Sequence, residues 1–441
     1  MYTKANKILL FIGMALLLAL QTPLFAQFNI SNPYSRYGIG NTNMGINQYN
    51  ASMGGVGYAL AKNNIVNPMN AASYFAVDSQ SFVFNMGFDM SWRNLSSSNQ
   101  SSDAFVASIT NISVAFPIFK RLKIGLSLMP LTDIDYSAQD TIFGEINHVK
   151  TFTGSGGIDR FVLGLSYQPL KTKTDNLVVG ANISYYFGNV YRLTSLNFLK
   201  SIPNSNGRYS DTTGFYNDAT ETDYDVSSFG FDFGVQYFHA ISENDIFGIG
   251  AVFNPSYKLH TTKKQIYYTY YTYTTQDYIQ DTLSNYEKDA DIKMPMQFGV
   301  GLSYEKRNKL FADIDFTYSK WSQFDFDGQT EEGSMKDAWR LNAGLEFIPS
   351  YAGSAYYQKI KYRLGGHYNQ GYIFLRDKRI SDIGISFGMG LPIKKLGTNV
   401  NFSFEYGKLG SKNNGLIKED YFRIGISISA KDRWFVKRKY Q

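Results

Sequence analysis

Cysteine is absent from all 441 residues. That excludes a disulfide framework, a thiolate metal site, a cysteine nucleophile and a lipid-anchored N-terminal cysteine. Histidine is nearly as scarce. His148, His239, His260 and His367 are the only four, and no pair of them has metal-ligand spacing. Charge of one sign is also lacking: 43 Lys and Arg against 37 Asp and Glu leave +6, which gives no reason to expect a nucleic-acid partner. After the first 26 residues no apolar run is long enough to cross a bilayer as a helix. A mean hydropathy of -0.26 is likewise too polar for a helical bundle. No nucleophile elbow is present, and no Ser/His/Asp constellation can be argued from spacing. The chain is therefore not expected to be an enzyme, and no metal or other cofactor is expected.

What the sequence does hold is aromatic residues, 16% of the chain, with 34 Tyr and 34 Phe. They are arranged with a period of two. In "SFVFNMGFDMSW", Phe82, Phe84, Met86, Phe88, Met90 and Trp92 alternate with smaller or polar residues. Successive side chains of a strand point to opposite faces, so this is strand patterning. The same pattern recurs to the end of the chain, for instance at Leu177 to Phe187, Phe229 to Tyr237, Leu310 to Tyr318, Val400 to Tyr406 and Phe422 to Ala430. About fourteen such strands follow residue 80, an even number of the kind that single-chain bacterial barrels require. The faces opposite the apolar ones are small or polar. That is the arrangement of a transmembrane barrel, with apolar residues toward lipid and polar residues toward the lumen. Closure pairs every backbone donor and acceptor, which lipid cannot do.

The expected organisation has four parts. Lys4 and Lys7 precede the apolar stretch Ile8 to Leu20, and "QTPLFA" ends in the small Ala26, so residues 1–26 read as a cleaved export signal. Residues 27–80 show turn signals and little alternation, and would lie in the periplasm or fill the lumen as a hatch. The all-β antiparallel barrel spans 81–430, and 431–441 form a periplasmic tail. Connectors such as "PIFKRLK", "HAISEND" and "EKRNK" are short. Between them fall longer ones, among them "NLSSSNQSS" and two insertions at about Leu193 to Asp225 and His260 to Ala290. Short periplasmic turns opposite long extracellular loops would place the chain in the outer membrane.

Several segments resemble the FadL/TodX family of outer-membrane transporters for hydrophobic compounds. "GGVGYALAKNNIVNPMNAASYF" is similar to the family's hatch at Gly54, Gly55, Gly57, Asn67, Pro68 and Ala71. "MPMQFGVGLSY" and "LFADIDFTYSKWSQF" are similar to a Pro-led strand and an Asp…Trp-Ser strand, at Pro295, Gly299, Asp315, Trp321 and Ser322. "WRLNAGLEF" and "YRLGGHY" resemble paired Arg-containing strands, at Arg340, Gly344, Arg363 and Gly365. The resemblance implies a monomer that lets hydrophobic or amphipathic small molecules, fatty-acid-like in character, diffuse passively through the outer membrane. Its partners would be membrane lipid and that ligand. The ending "DRWFVKRKYQ" with "YSRYGIG" near the start resembles a Bacteroidetes-type branch. In that branch relatives also serve as accessory or plug subunits of type IX secretion, so a secretion-system barrel is the alternative partner.

Candidate site residues follow from the inward positions. Asp313, Asp315, Arg340, Glu346 and Arg363, with Lys361, His367, Glu405 and Arg423, fall on the polar faces of neighbouring strands. Opposite charges there can pair across the ladder and brace the wall. A substrate-carboxylate site on Arg340 or Arg363 is the sharper alternative. The run "IYYTYYTYTTQDY" contributes Tyr267, Tyr268, Tyr270, Tyr271 and Tyr273. These would form an outer groove that captures amphiphiles, or a hairpin extending the wall above the membrane. "DFDGQTEEG" at Asp325 to Gly333 lacks a full calcium-ligand pattern and reads as a solvated loop. Trp92, Trp434 and Phe435 read as interfacial aromatics.

Overall fold

The computed structural model describes residues 32–43, 45–143, 147–198, 216–273, 276–328, 335–393 and 398–433. The long strands in chain order are β1 (Ser81–Ser96), β2 (Ser101–Pro117), β3 (Leu122–Ile142), β4 (His148–Lys171), β5 (Asp175–Phe198), β6 (Asn217–Ala240) and β7 (Asp245–Asn254). There follow β8 (Tyr257–Tyr273), β9 (Gln276–Met294), β10 (Gln297–Lys306), β11 (Leu310–Ser319) and β12 (Ala338–Phe347). The last four are β13 (Lys361–Asn369), β14 (Asp382–Ile393), β15 (Thr398–Leu409) and β16 (Lys418–Arg433). All but β8 and β9 make a closed antiparallel wall of fourteen strands, the number expected from the alternation. β1 closes on β16 in unbroken register from Ser81↔Arg433 to Ser96↔Lys418. Among the described residues no helix is long and apolar enough to cross a membrane.

The alternation maps onto the two faces of the wall. Phe229, Phe231 and Phe233 are 61%, 51% and 50% exposed, and Met86, Phe88 and Trp92 stand on the same outer surface. An apolar face of this extent over most of the strands is stable only in hydrocarbon. Inward positions such as Asn85, Ser166, Asn182, Asp315 and Ser403 are buried.

Four expectations are corrected. The insertion at Leu193 to Asp225 is largely wall, since β5 runs to Phe198 and β6 starts at Asn217; residues 199–215 lie outside the described part. His260 to Ala290 is no loop but the β8–β9 hairpin. Both were obscured because strands that rise beyond the hydrocarbon need no apolar outer face. Connector lengths keep their parity only in part: "NLSSSNQSS" shortens to the turn between Ser96 and Ser101, while 348–360 is long on the opposite end. Finally, the inner face is not uniformly polar. Ile134, Ile158, Tyr186, Val190, Leu259 and Ile292 point inward and join a buried apolar cluster. The export signal, Trp434, Phe435 and most of the C-terminal tail lie outside the described residues.

Ser403 illustrates what inward means here, because its hydroxyl donates to Gln48 Oε1 at 2.6 Å rather than facing water. Ile426, opposite Phe402 on the neighbouring strand and on the outer face, is 37% exposed. Ile426→Arg at mid-wall is expected to lower the unfolding free energy by about 2–4 kcal/mol, read by urea titration in lipid vesicles. Ser403→Ala loses one hydrogen bond and should cost about 1 kcal/mol. Equal costs at both positions would mean that the outer face does not meet hydrocarbon.

Candidate functional site

The described part of the N-terminal segment lies inside the wall. It has little secondary structure of its own: a single α-helical turn at Gln48–Ala51, 3-10 turns at Pro33–Arg36 and Ala71–Ala76, and a two-residue strand, Asn41–Thr42. Its backbone groups therefore need partners elsewhere, since an unpaired buried N–H or C=O is costly. The inward polar residues of the wall supply them. Asp315 on β11 accepts from the Gly57 and Tyr58 N–H groups at 2.6 and 3.0 Å. Gln236 on β6 donates to the Tyr58 and Leu60 carbonyls, Asn342 on β12 to Gly55 O, and Asn182 on β5 to Pro68 O. Ser166 on β4 reaches Ala72 O, Ser303 on β10 reaches Ala59 O, and Ser386 on β14 accepts from Gly54 N.

The motif residues explain how the segment turns so tightly. Gly54 and Gly55 have φ of +70° and +83°, and a Cβ on Gly54 would meet the Gly366 carbonyl at 2.4 Å. Asn67 donates to Gly57 O at 2.6 Å, folding the Asn-Pro turn back onto the glycine loop. Ala71 is fully buried. The sequence reading assigned Asp315 to the inner face but not to the hatch. No signal along the strand distinguishes a carboxylate that pairs with the wall from one that accepts from a backbone threaded past it.

The inward charges form the bracing network. Arg363 donates to Glu346 at 2.8 Å and Asn401 at 3.0 Å, and its guanidinium lies 4.0 Å from the Tyr49 ring centre. Arg423 bridges Glu405 at 3.1 Å and Asp89 at 3.4 Å, and His367 contacts Asp382 at 3.1 Å. Arg340 donates to Asn342 at 2.8 Å, which in turn holds the hatch. Asp313 is buried and neither of its carboxylate oxygens has a hydrogen-bond partner among the described residues.

One part of the wall is not closed by its own strands. β2 pairs with β3 only from Ile112↔Leu128 to Pro117↔Lys123. Beyond that point β3 carries a register shift between Pro130 and Thr132 and bends away, still paired to β4. Its freed edge is taken by the hatch: Asn41 and Thr42 pair with Asp133 and Thr132, and Asn43 N donates to Leu131 O at 2.7 Å. A cavity of about 760 Å³ adjoins this gap. It is lined by Val106 to Thr110 of β2, Thr132 and Asp133 of β3, and by Asp89, Arg93, Asp159, Arg340, Asp382, Glu405, Glu419 and Arg423. That lining is heavily charged, unlike the apolar pockets that small organic ligands usually occupy.

The far half of the lumen is packed. Ile39 of the hatch meets Ile134, Ile158, Tyr186, Val226, Leu259 and Ile292 of the wall strands and the hairpin, and Trp321, Phe324 and Phe326 fold in over them. Trp321 stacks on Tyr372 at 3.7 Å. The segment expected to be a solvated loop from Asp325 onward thus begins as a lid on an apolar core; residues 329–333 are outside the described part. The tyrosines belong to the hairpin strand β8, which pairs with the upper part of β6. Tyr268 donates to Glu221 at 2.7 Å and Tyr270 to Asn197 at 2.6 Å, so their hydroxyls tie β8 to β6 and β5. Tyr271 stacks on Tyr278, Tyr267 is half-buried, and Tyr273 pairs through its backbone with Gln276 at the hairpin tip. At the hairpin base the Lys258 hydrogen bond holds the Asp291 carboxyl below its ordinary value against the opposing effect of burial, and His260 adds to it.

Comparison with known proteins gives one family and one fold. The family described as BamG matches residues 7–441. No curated protein matches the sequence. Among solved structures, the monoaromatic hydrocarbon channel CymD superposes with a TM-score of 0.52 at 15% identity, covering 88% of this chain and 98% of that one. The Pseudomonas putida toluene transporter TodX gives 0.52 at 12% identity, over 90% and 100% of the two chains. A Pseudomonas aeruginosa FadL homologue gives 0.52 at 14%, over 88% and 98%. At such identities the likeness is one of fold: an outer-membrane β-barrel of the FadL type, as the hatch and strand motifs implied.

The hatch contacts have a measurable consequence. Each of the two backbone hydrogen bonds that Asp315 accepts is worth about 0.5–1.5 kcal/mol, so Asp315→Ala is expected to loosen the hatch locally while the wall stays closed. Amide exchange at Gly57 and Tyr58 should quicken at least tenfold with the barrel's heat-modifiable gel shift unchanged. Unchanged exchange would show that Asp315 does not hold the hatch.

Proposed function

The chain belongs to the BamG family, and on that premise we propose that it is an accessory barrel of BAM, the outer-membrane β-barrel assembly machinery. It would act by docking beside a working subunit rather than by passing a solute. The observation that carries this reading is the filled lumen. Wall side chains from many strands grip the hatch backbone, and an apolar core closes the space beyond it. A barrel so occupied is a rigid body with an outer surface to offer. Its inward residues are spent on holding the interior together.

A second reading is favoured by the gap between β2 and β3. The cavity there reaches the wall where strand pairing has stopped, which would suit sideways movement of an amphipathic small molecule between lumen and bilayer. Asp89, Asp133, Asp159, Glu405 and Glu419 on its lining weigh against a purely apolar passenger. Arg340 and Arg423, also on the lining, could meet the carboxylate of an amphiphile.

Purification from native membranes in mild detergent separates these readings. The assembly role expects stoichiometric co-purification with the central assembly barrel, and a several-fold loss of other folded outer-membrane barrels on depletion. Uptake of hydrophobic solutes should be unchanged. Co-purified amphiphile, with uptake lost on depletion and barrel levels intact, would overturn it in favour of transport. A giant secretion barrel as the stoichiometric partner would instead favour the type IX role.

A further inference from the structure

The β8–β9 hairpin leaves one strand edge open. β9 pairs with β8 along its whole length, but its other edge meets only Asp325 and Phe326, opposite Lys293 and Ile292. Asp291 O accepts from Asp327 N, and from Gln276 to Ala290 no strand among the described residues pairs with that edge. Every residue from Gln276 to Asp289 is exposed. An open strand edge is a row of unpaired N–H and C=O groups that templates pairing with another chain. Bulges are the usual device that blunts such edges, and here both lie on the tip side of Ser284, at Gln280 and Leu283. From Ser284 to Met294 the register is unbroken. The regular part of the edge is the part left uncovered.

Charge says what would cover it. Ala290, Ile292 and Met294 are buried, so the alternate residues Glu287, Asp289 and Asp291 share the outward face. Four hairpin cations are engaged, Lys258 with Asp291, Lys264 with Asp225, and Lys263 and Lys288 with Asp327, while Lys293 stands opposite Asp325 at the base. Glu287 and Asp289 remain in excess. A second copy of this chain would set like charges against each other across the new ladder, which is destabilising. A strand bearing Lys or Arg at alternate positions would do the opposite.

We propose that Ser284 to Ala290 is a docking edge that takes an extended, basic segment of a partner protein by β-augmentation. The inference deepens the assembly reading and rests on it for the partner being a protein of that machinery. The full chain in detergent is mixed with an eight-residue peptide alternating lysine and valine, and with its glutamate–valine counterpart. Amide exchange over Ser284 to Ala290 is expected to slow at least tenfold with the lysine peptide alone. Glu287→Lys with Asp289→Lys keeps the hairpin backbone and should weaken that binding at least tenfold. No protection, or equal protection by both peptides, overturns the docking edge. The same double variant, placed in cells, separates this inference from the reading it rests on. If assembly subunits co-purify equally with wild type and variant, the edge is refuted and the assembly role stands. If the lysine peptide protects the edge but no assembly subunit co-purifies with wild type, the assembly role falls and the edge serves another protein.

Discussion

The requirement that every backbone donor and acceptor away from water find a partner governs this molecule twice over. In the wall it is met by closure, with β1 returning to β16, except along the β2 edge that β3 leaves. In the lumen it is met differently. Residues 32–80 have almost no internal ladder, so their N–H and C=O groups are paired partly by their own turns and asparagines and partly by inward side chains of the wall. The polar inner face is thus the binding surface for the protein's own N-terminal segment.

Where the wall ladder fails, the same requirement is met by exchange of partners. β3 parts from β2 beyond Leu128, and the hatch strand Asn41–Thr42 takes the vacated edge. The bend also turns Ile134 and Tyr136 inward, where they join the apolar cluster that closes the far lumen. Hatch, bend and core are therefore one structural event. Among the described residues the unpaired length of β2 and the free edge of β9 both depart from full pairing over a long run, and the two differ in what faces them. The first borders an internal cavity, and the second borders open solvent.

A barrel of this kind contributes surface and rigidity. Its interior buries Arg363 against Glu346 and Tyr49, and buried ion pairs of this sort give geometric specificity more readily than net stability. The fold is shared with hydrocarbon channels at 12–15% identity, a level at which the same architecture can serve unrelated tasks.

The strands were legible in the sequence because lipid on one side and a polar interior on the other impose a period of two wherever the chain lies in hydrocarbon. Fourteen strands, their order and the outward residues such as Phe229 and Ile426 followed from that alone. The hatch motif was legible too, since Gly54 and Gly55 with Asn67 and Pro68 mark backbone turns that few other residues allow. Beyond the hydrocarbon the signal fades: the β8–β9 hairpin and the ends of β5 and β6 carry no apolar face, so they looked like loops. Pairing across the lumen was decided only by the tertiary structure. That Asp315 binds Gly57 and Tyr58, that Asn41 pairs with Asp133, and that Trp321 lands on Tyr372 depend on how the closed wall brings distant segments together. Local periodicity determines which way a side chain points, but not what closure will place in front of it.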